Sequence, residues 1–297
     1  MNKLKISILT ATYNRANLLP QLYESILKNL SDDIAVEWLI MDDGSTDNTK
    51  EIIEKFIKQK RFEIKYSFQK NQGKMQSINN LVKNVQGDLI IDCDSDDYFS
   101  DNAFDTIKNA FEKNKNKEFY ALCFLKYDQT GKNMGKKFIK ETSKMFDLYF
   151  KDGEDGEKAL VFNSEIRKQF KHELENGEKF VTEARMYHKM DEKYNIICIN
   201  EPIMICEYQN EGYTKNINKQ FIENPYGYFN YFKEILQKDM KGVVFNKRLY
   251  AIKHYILFAT LINKKNIVKH VNGILNKMLI LCLYVPGKIA TQKRIKG

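Results

Sequence analysis

Over residues 5–92 the chain alternates short apolar runs with segments of helical spacing, and this alternation constrains its fold more than any other feature. "KISILTA" (5–11), "VEWLIMD" (36–42), "FEIKYSF" (62–68) and "DLIID" (88–92) have the length and composition of strands. Between them, "NLLPQLYESILKNL" (17–30), "DNTKEIIEKFIKQ" (47–59, with Asp47 as N-cap) and "KMQSINNLVKNV" (74–85) place apolar residues at helical intervals. Strand and helix in turn build βαβ units, hence an α/β fold with a mostly parallel central sheet flanked by helices. Such sheets bind ligands beyond the carboxyl ends of their strands. Four polar loops fall there: Thr12-Tyr13-Asn14-Arg15, Asp42-Asp43-Gly44-Ser45, Asn71-Gln72-Gly73-Lys74 and Asp94-Ser95-Asp96-Asp97. Any one of them reads as an ordinary turn. Four at one sheet edge read as a binding edge.

The 297 residues allow one or two domains at roughly 150 residues each. Forty-three per cent hydrophobic residues exclude a disordered chain. A net charge of +9 suits an anionic partner, without choosing among nucleic acid, anionic lipid and a phosphorylated substrate. The five cysteines are widely spaced and contain no CxxC pair, so buried free thiols in a reducing compartment are expected, with neither a disulfide framework nor a zinc site. The apolar run near the amino terminus is too short for a signal peptide. No window reaches the roughly 20 apolar residues that a spanning helix needs, and a cytoplasmic location is expected.

"GDLIIDCDSDD" (87–97) is the chemically richest stretch. Carboxylates this close repel one another unless donors, water or a cation offset the repulsion. A calcium loop of the EF-hand kind needs Gly at its sixth place and Glu at its twelfth; Asp97 and Ala103 stand there. A phosphatase with an Asp nucleophile of the haloacid-dehalogenase kind matches "IIDCD", but three strand–helix units precede the motif here. A pair of carboxylates at a strand end that holds Mg²⁺ or Mn²⁺ against the phosphates of a nucleotide accounts for the other polar loops as well.

With these residues in view, the sequence resembles the inverting glycosyltransferases of family 2, which have the GT-A (Rossmann-like) fold. The matching stretches are "SILTATYNR" (7–15), "LIMDDGSTDNT" (39–49), "KNQGKMQSINNLV" (70–82) and "LIIDCDSDDYF" (89–99), with weaker matches in "GEKFVTEARMYHKM" (177–190) and "INEPIMICEYQNEGYTKN" (199–216). The resemblance covers roughly residues 3–216. It implies a catalytic domain over 1–216, with a nucleotide-binding half to about 100 and an acceptor half over 101–216, then a helical carboxyl-terminal extension over 217–297.

The resemblance also implies roles. Thr12, Tyr13 and Asn14 would border the donor's base, with the Tyr13 ring free to stack, and Asp42 or Asp43 would accept from the uracil imide. Gly73 permits close backbone approach; Lys74 offers charge to a phosphate, and Asn79 follows on the same helix. Relatives often carry Arg where Ile78 stands. Asp94 and Asp96 align with the metal-binding pair, with Ser95 between them at the donor; Asp92, usually apolar in relatives, leaves Asp92 with Asp94 as an alternative pair. Asp97 would cap the following segment or orient a metal ligand. Glu183 aligns with the catalytic base, Glu173 and Glu178 being nearby competitors, and His188 reads as a packing histidine. Thr214 and Lys215 are weaker candidates for diphosphate contacts.

The implied activity is transfer of a sugar from a nucleotide-diphosphate donor, UDP by family frequency, to a glycan or lipid-linked acceptor in bacterial surface polysaccharide synthesis. A nucleotidyltransferase is an alternative, as is a non-catalytic nucleotide- or nucleic-acid-binding protein, although no nucleic-acid motif appears and no nucleic-acid partner is expected. "NIVKHVNGILNKMLILCLYV" (266–285) has apolar residues at helical spacing and precedes a basic end, so a helix resting on an anionic membrane surface competes with ordinary packing or an oligomer contact. Oligomeric state, sugar and linkage are not encoded in any motif.

Overall fold

The structure is a computed structural model that describes residues 3–207 and 217–296. It has two compact units. One comprises Met1–Met145, Asp155–His172 and His188–Asn210; the other comprises Phe146–Glu154, Glu173–Tyr187 and Glu211–Gly297.

The first unit is built on a sheet that has nine strands among the described residues. The strands are β1 (Leu4–Thr12), β2 (Ile34–Asp42), β3 (Glu63–Phe68), β4 (Leu89–Asp92), β5 (Asp97–Phe99), β6 (Ala121–Asp128), β7 (Thr142–Ser143), β8 (Lys158–Asn163) and β9 (Ile196–Cys206). Their order is β3-β2-β1-β4-β8-β6-β9-β5, with β7 beside β9. β1, β2, β3 and β4 are parallel to one another wherever they pair; β8 runs antiparallel between β4 and β6. The chain steps outward from β1 to β3 and then returns to β4 on the opposite side of β1. That reversal opens a crevice at the carboxyl ends of β1 and β4, the usual ligand position in such sheets.

Helices α1 (Leu19–Lys28), α2 (Thr49–Gln59), α3 (Lys74–Val82) and α4 (Ala103–Asn114) cross over between strands. The apolar faces of α1, α2 and α4 close a core of Ile6, Ile8, Trp38, Ile40, Leu89 and Ile91. Within it the Trp38 indole N–H donates to Thr10 Oγ1 at 2.9 Å, and Tyr23 stacks on Phe56 at 4.1 Å. α2 begins at Thr49; Asp47 folds into a local turn instead of capping, accepting from the Thr49 N–H and hydroxyl.

At the amino-terminal end of the sheet, Glu37 has no exposed side-chain surface. It accepts from Ser7, from the Gln86 N–H at 2.7 Å and from Lys65 at 2.7 Å. Burial pushes its carboxyl up, but these donors outweigh burial and hold it below the ordinary glutamate range.

The remaining helices are α5 (Met145–Phe150), α6 (Ser164–Arg167), α7 (Ala184–Met190), α8 (Ile217–Glu223), α9 (Pro225–Gln237), α10 (Phe245–Leu261) and α11 (Ile274–Lys296). The second unit has its own aromatic core, in which Tyr228 stacks on Phe258 at 5.0 Å and Phe229 on Tyr255 at 5.2 Å. Ile196–Cys206 is one strand whose pairing with β6 shifts register twice. One expectation needs correction. The expected helix ended near residue 285, but α11 runs through Pro286, and by length and composition its Ile274–Gln292 stretch could cross a membrane. Counting consecutive apolar residues missed it because Lys277 and Asn276 interrupt the run.

Candidate active site

The four polar loops predicted to share one sheet edge are linked in series. The loop after β1 joins the loop after β2. Asn14, in a left-handed backbone turn, donates its N–H to Ser45 Oγ at 2.9 Å and accepts the Thr46 N–H at 2.7 Å, while the Ala16 N–H reaches Asp47 at 3.1 Å. The loop after β2 joins the loop after β3 through Asp43. Its carboxylate accepts the Gln69 amide at 2.7 Å and the N–H groups of Gln72 and Gly73, both at 2.8 Å. Gly73 has φ +91°, a backbone that side chains with a Cβ rarely adopt. Gly44 has φ +90°, and a Cβ there would stand 3.0 Å from the Asn71 nitrogen.

Asp42 is equally buried and differently engaged: it accepts the Ser45 N–H at 2.7 Å and the Tyr66 hydroxyl at 2.9 Å. Burial first, then the negative Asp42, pushes the Tyr66 hydroxyl well above its ordinary value, so it stays a donor. An ionised carboxylate has about four acceptor sites, so either aspartate can accept one more donor. Thr12 Oγ1 is buried with no hydrogen-bond partner among the described residues, and the Tyr13 ring is 48% exposed beside it in sequence.

The acidic stretch that ends β4 is neutralised residue by residue. Lys74 Nζ lies 2.7 Å from both oxygens of Asp94. Arg15 Nη1 lies 3.1 Å from Asp96 and donates to Ser95 Oγ at 3.2 Å. Lys126 Nζ lies 2.9 Å from Asp97. Arg167 Nη2 lies 3.8 Å from Asp92. The cations come from the loop after β1, the start of α3, β6 and α6. Burial, then the charge of Asp94, raises the Asp96 carboxyl above its ordinary value, with Arg15 pulling the other way. Asp97 therefore pairs with Lys126 and does not cap a helix.

Among the described residues no group of three His, Cys, Asp or Glu side chains is placed to hold a metal ion. Two neighbouring carboxylates suffice for Mg²⁺ or Mn²⁺ when substrate phosphates and water complete an octahedron, so Asp94 and Asp96 fit such an ion together with a nucleotide.

Asn79 is spent on the fold: its side-chain amide donates to the His172 carbonyl at 2.8 Å and accepts the His172 N–H at 2.9 Å. Burial, then the Arg167 and Lys74 cations, hold the His172 imidazole well below its usual range, so it is neutral at pH 7.

In the second unit the three candidate bases differ. Glu173 lies 3.4 Å from Arg185, a buried guanidinium that also holds Glu175 at 3.1 Å and Glu234 at 2.8 Å. Glu178 accepts the Tyr226 and Gly227 N–H groups at 2.6 and 2.7 Å, which ties down the first turn of α9. Glu183 precedes α7, half-buried, with the Tyr187 hydroxyl 3.5 Å from its carboxylate. His188 is buried. Thr214 and Lys215 lie outside the described residues. Nothing in the sequence assigns a task to Arg15, Lys126 or Arg167; their partners lie 29 to 81 positions away, and no local spacing signals them.

Comparison with known proteins agrees with this geometry. Residues 7–166, more than half of the chain, match the family model described as Glycosyl transferase family 2. An uncharacterized glycosyltransferase of Mycoplasma pneumoniae, the MG060 homolog, is 38% identical over 113 residues, which cover 37% of this chain and 38% of that relative. The chain thus spans well under half the length of that relative. Glycosyltransferase GlyG of Streptococcus pneumoniae is 26% identical over 217 residues, covering 67% of this chain and 69% of GlyG. Among solved structures, S. aureus TarS 1-349 in complex with UDP-GlcNAc superposes with a TM-score of 0.64 at 15% identity, over 97% of this chain and 89% of that one. The mannosyltransferase PcManGT from Pyrobaculum calidifontis, in complex with GDP-Man and Mn²⁺, gives 0.55 at 15% identity, over 99% and 85%. At such identity these two show the fold, and it is GT-A. With its four linked strand-end loops and this match, the chain belongs to glycosyl transferase family 2.

Proposed function

We infer that the protein transfers a sugar from a nucleoside-diphosphate donor, a UDP-sugar, to an acceptor hydroxyl with inversion at the anomeric carbon. The observation that carries this reading is the pairing of Asp94 with Lys74 and of Asp96 with Arg15 at the crevice where β1 and β4 end. Carboxylates for a divalent cation and cations for a diphosphate meet there. The bound nucleotides and Mn²⁺ of the two solved relatives agree with such a donor.

In this reading the Tyr13 ring stacks on the base, and Asp42 or Asp43 accepts its imide N–H, a contact that discriminates because the wrong base leaves a buried acceptor unpaired. Asn14 and Ser95 shape the same edge, and Gly73 lets the backbone approach the phosphates. Asp94 and Asp96 hold Mg²⁺ or Mn²⁺, which when bound supplies positive charge to the departing diphosphate. Glu183 removes the acceptor hydroxyl's proton, the task that direct displacement requires. Glu173 is held by Arg185, and Glu178 by the N–H groups that begin α9.

The acceptor is a glycan or a lipid-linked one, and α11 supports the lipid. Ile274, Met278, Leu281, Val285 and Ile289 are exposed at helical intervals, 50–79% each, with Lys277 and Lys288 along one margin. The opposite side, through Ile280, packs into the second unit's own core, so the helix suits a membrane surface and not a crossing. Such a surface is the inner face of the cytoplasmic membrane, where surface polysaccharide intermediates are assembled.

The deciding experiment is thermal unfolding of the full chain with UDP-sugars, with and without Mn²⁺. Stabilisation that needs both, and that Asp96→Ala abolishes, is expected; indifference to every nucleotide overturns the reading.

A further inference from the structure

The four ion pairs of the acidic stretch fall into two tiers. The tiers are set by the cations: Arg167 has no exposed side-chain surface and Lys126 exposes 12%, against partners Asp92 at 17% and Asp97 at 10%. The outer cations are more open, Lys74 at 17% and Arg15 at 26%, with Asp94 at 42% and Asp96 at 16%. Buried pairs are costly to part, because a charge left behind in a poorly solvated place has no compensation; solvated pairs part cheaply. The outer cations also sit on the very oxygens that a divalent ion would use.

Each of the four carboxylates has one cation beside it, and Lys126 is shared with Glu157 at 3.4 Å, so the stretch carries no surplus of positive charge. A divalent cation entering alone would have to evict Lys74 and Arg15 and strand two positive charges. A nucleoside diphosphate entering together with the cation gives both displaced side chains an anionic partner, and lysine and arginine carry stems long enough to turn without backbone movement.

We propose that Lys74 and Arg15 are exchangeable counter-cations of the metal-binding pair. They hold Asp94 and Asp96 in place in the donor-free protein, then turn to the donor's diphosphate, so that divalent cation and nucleotide enter as one coupled unit. Lys126 and Arg167 keep Asp97 and Asp92 neutralised throughout. The inference rests on the nucleotide reading above and adds a coupling between the two ligands to it.

The test measures Mn²⁺ binding to the full chain by electron paramagnetic resonance, alone and with saturating UDP, and UDP binding by calorimetry with and without Mn²⁺. In the wild type, UDP tightens Mn²⁺ binding by about tenfold or more, and Mn²⁺ tightens UDP by the same factor, as reciprocity requires. In Lys74→Met, Mn²⁺ alone binds about tenfold more tightly than to the wild type, while UDP binds more weakly, so the coupling shrinks. Arg15→Gln shifts both constants the same way, and Lys74→Arg restores the wild-type pattern; circular dichroism confirms that each variant is folded. If wild-type chain binds UDP with Mn²⁺ but Lys74→Met and Arg15→Gln leave the affinity for Mn²⁺ alone unchanged or weaker, the counter-cation proposal fails and the donor reading stands. If wild-type chain binds no UDP under any condition, both fall.

Discussion

The Arg167 guanidinium lies 3.8 Å from the Asp92 carboxylate and over the Phe162 ring, 5.6 Å from its centroid. Asp92 ends β4 with only 17% of its side chain exposed, and the buried cation on α6 supplies the compensation that makes a carboxylate tolerable there. Arg167→Met should therefore cost about 3 kcal/mol, since it leaves the carboxylate without its buried cation. The double variant Asp92→Leu with Arg167→Met should recover most of that loss. Denaturant titration of the four proteins of the cycle decides it. A single variant as stable as the wild type would show that the pair carries no structural burden.

Glu37 sets a stability limit at low pH. Its folded value lies below its unfolded value, so its stabilising contribution is fully present above the ordinary glutamate range and is lost as pH falls through the folded value. Glu37→Gln should lower the unfolding temperature at pH 7 and flatten the acid limb of the stability curve. Parallel acid limbs for variant and wild type would contradict this role.

Glu183→Gln should abolish sugar transfer while UDP affinity stays within about twofold of the wild type, because the change removes a proton acceptor and nothing from the donor's surroundings. Glu178→Gln should instead destabilise the fold, by about 1–3 kcal/mol, because the α9 N–H groups then lose a charged acceptor. Retained turnover in Glu183→Gln would move the base elsewhere.

The exposed stripe of α11 predicts binding to anionic vesicles that weakens with salt. Leu281→Ser with Val285→Ser should cut partitioning by about tenfold or more per residue, on the scale of a buried aliphatic side chain, and leave thermal stability unchanged. Flotation with phosphatidylglycerol vesicles reads this directly. Equal recovery of variant and wild type would assign the stripe to another partner.

The parallel half of the sheet was legible because each of its strands and helices announces itself within a dozen residues. Leu4–Thr12 and Ile34–Asp42 fall within two residues of the apolar runs that predicted them. β8 was not marked. "KALVFN" is short, lies beyond a loop of "KDGEDGEK", and becomes a strand only by inserting between β4 and β6, a pairing no local pattern encodes. The acidic stretch was legible as chemistry but not as electrostatics. Sequence shows Asp92, Asp94, Asp96 and Asp97 as repelling neighbours; only the fold brings each its own cation. Likewise Asn79 reads as a donor contact until His172, 93 positions away, takes both ends of its amide.

The serial links among the strand-end loops bear on how such a site can be rebuilt. Asn14 ties the first loop to the second, Asp43 the second to the third, and Lys74 the third to the fourth. None of these loops is a separable module. A chimera that imports one loop from a relative inherits a broken seam on either side of it. An exchange of residues 12–16, 42–47, 69–74 and 94–97 as a set carries its own stitching along. The four loops are thus inherited as a block, and piecemeal grafting into this scaffold should fail at the seams before it fails at the chemistry.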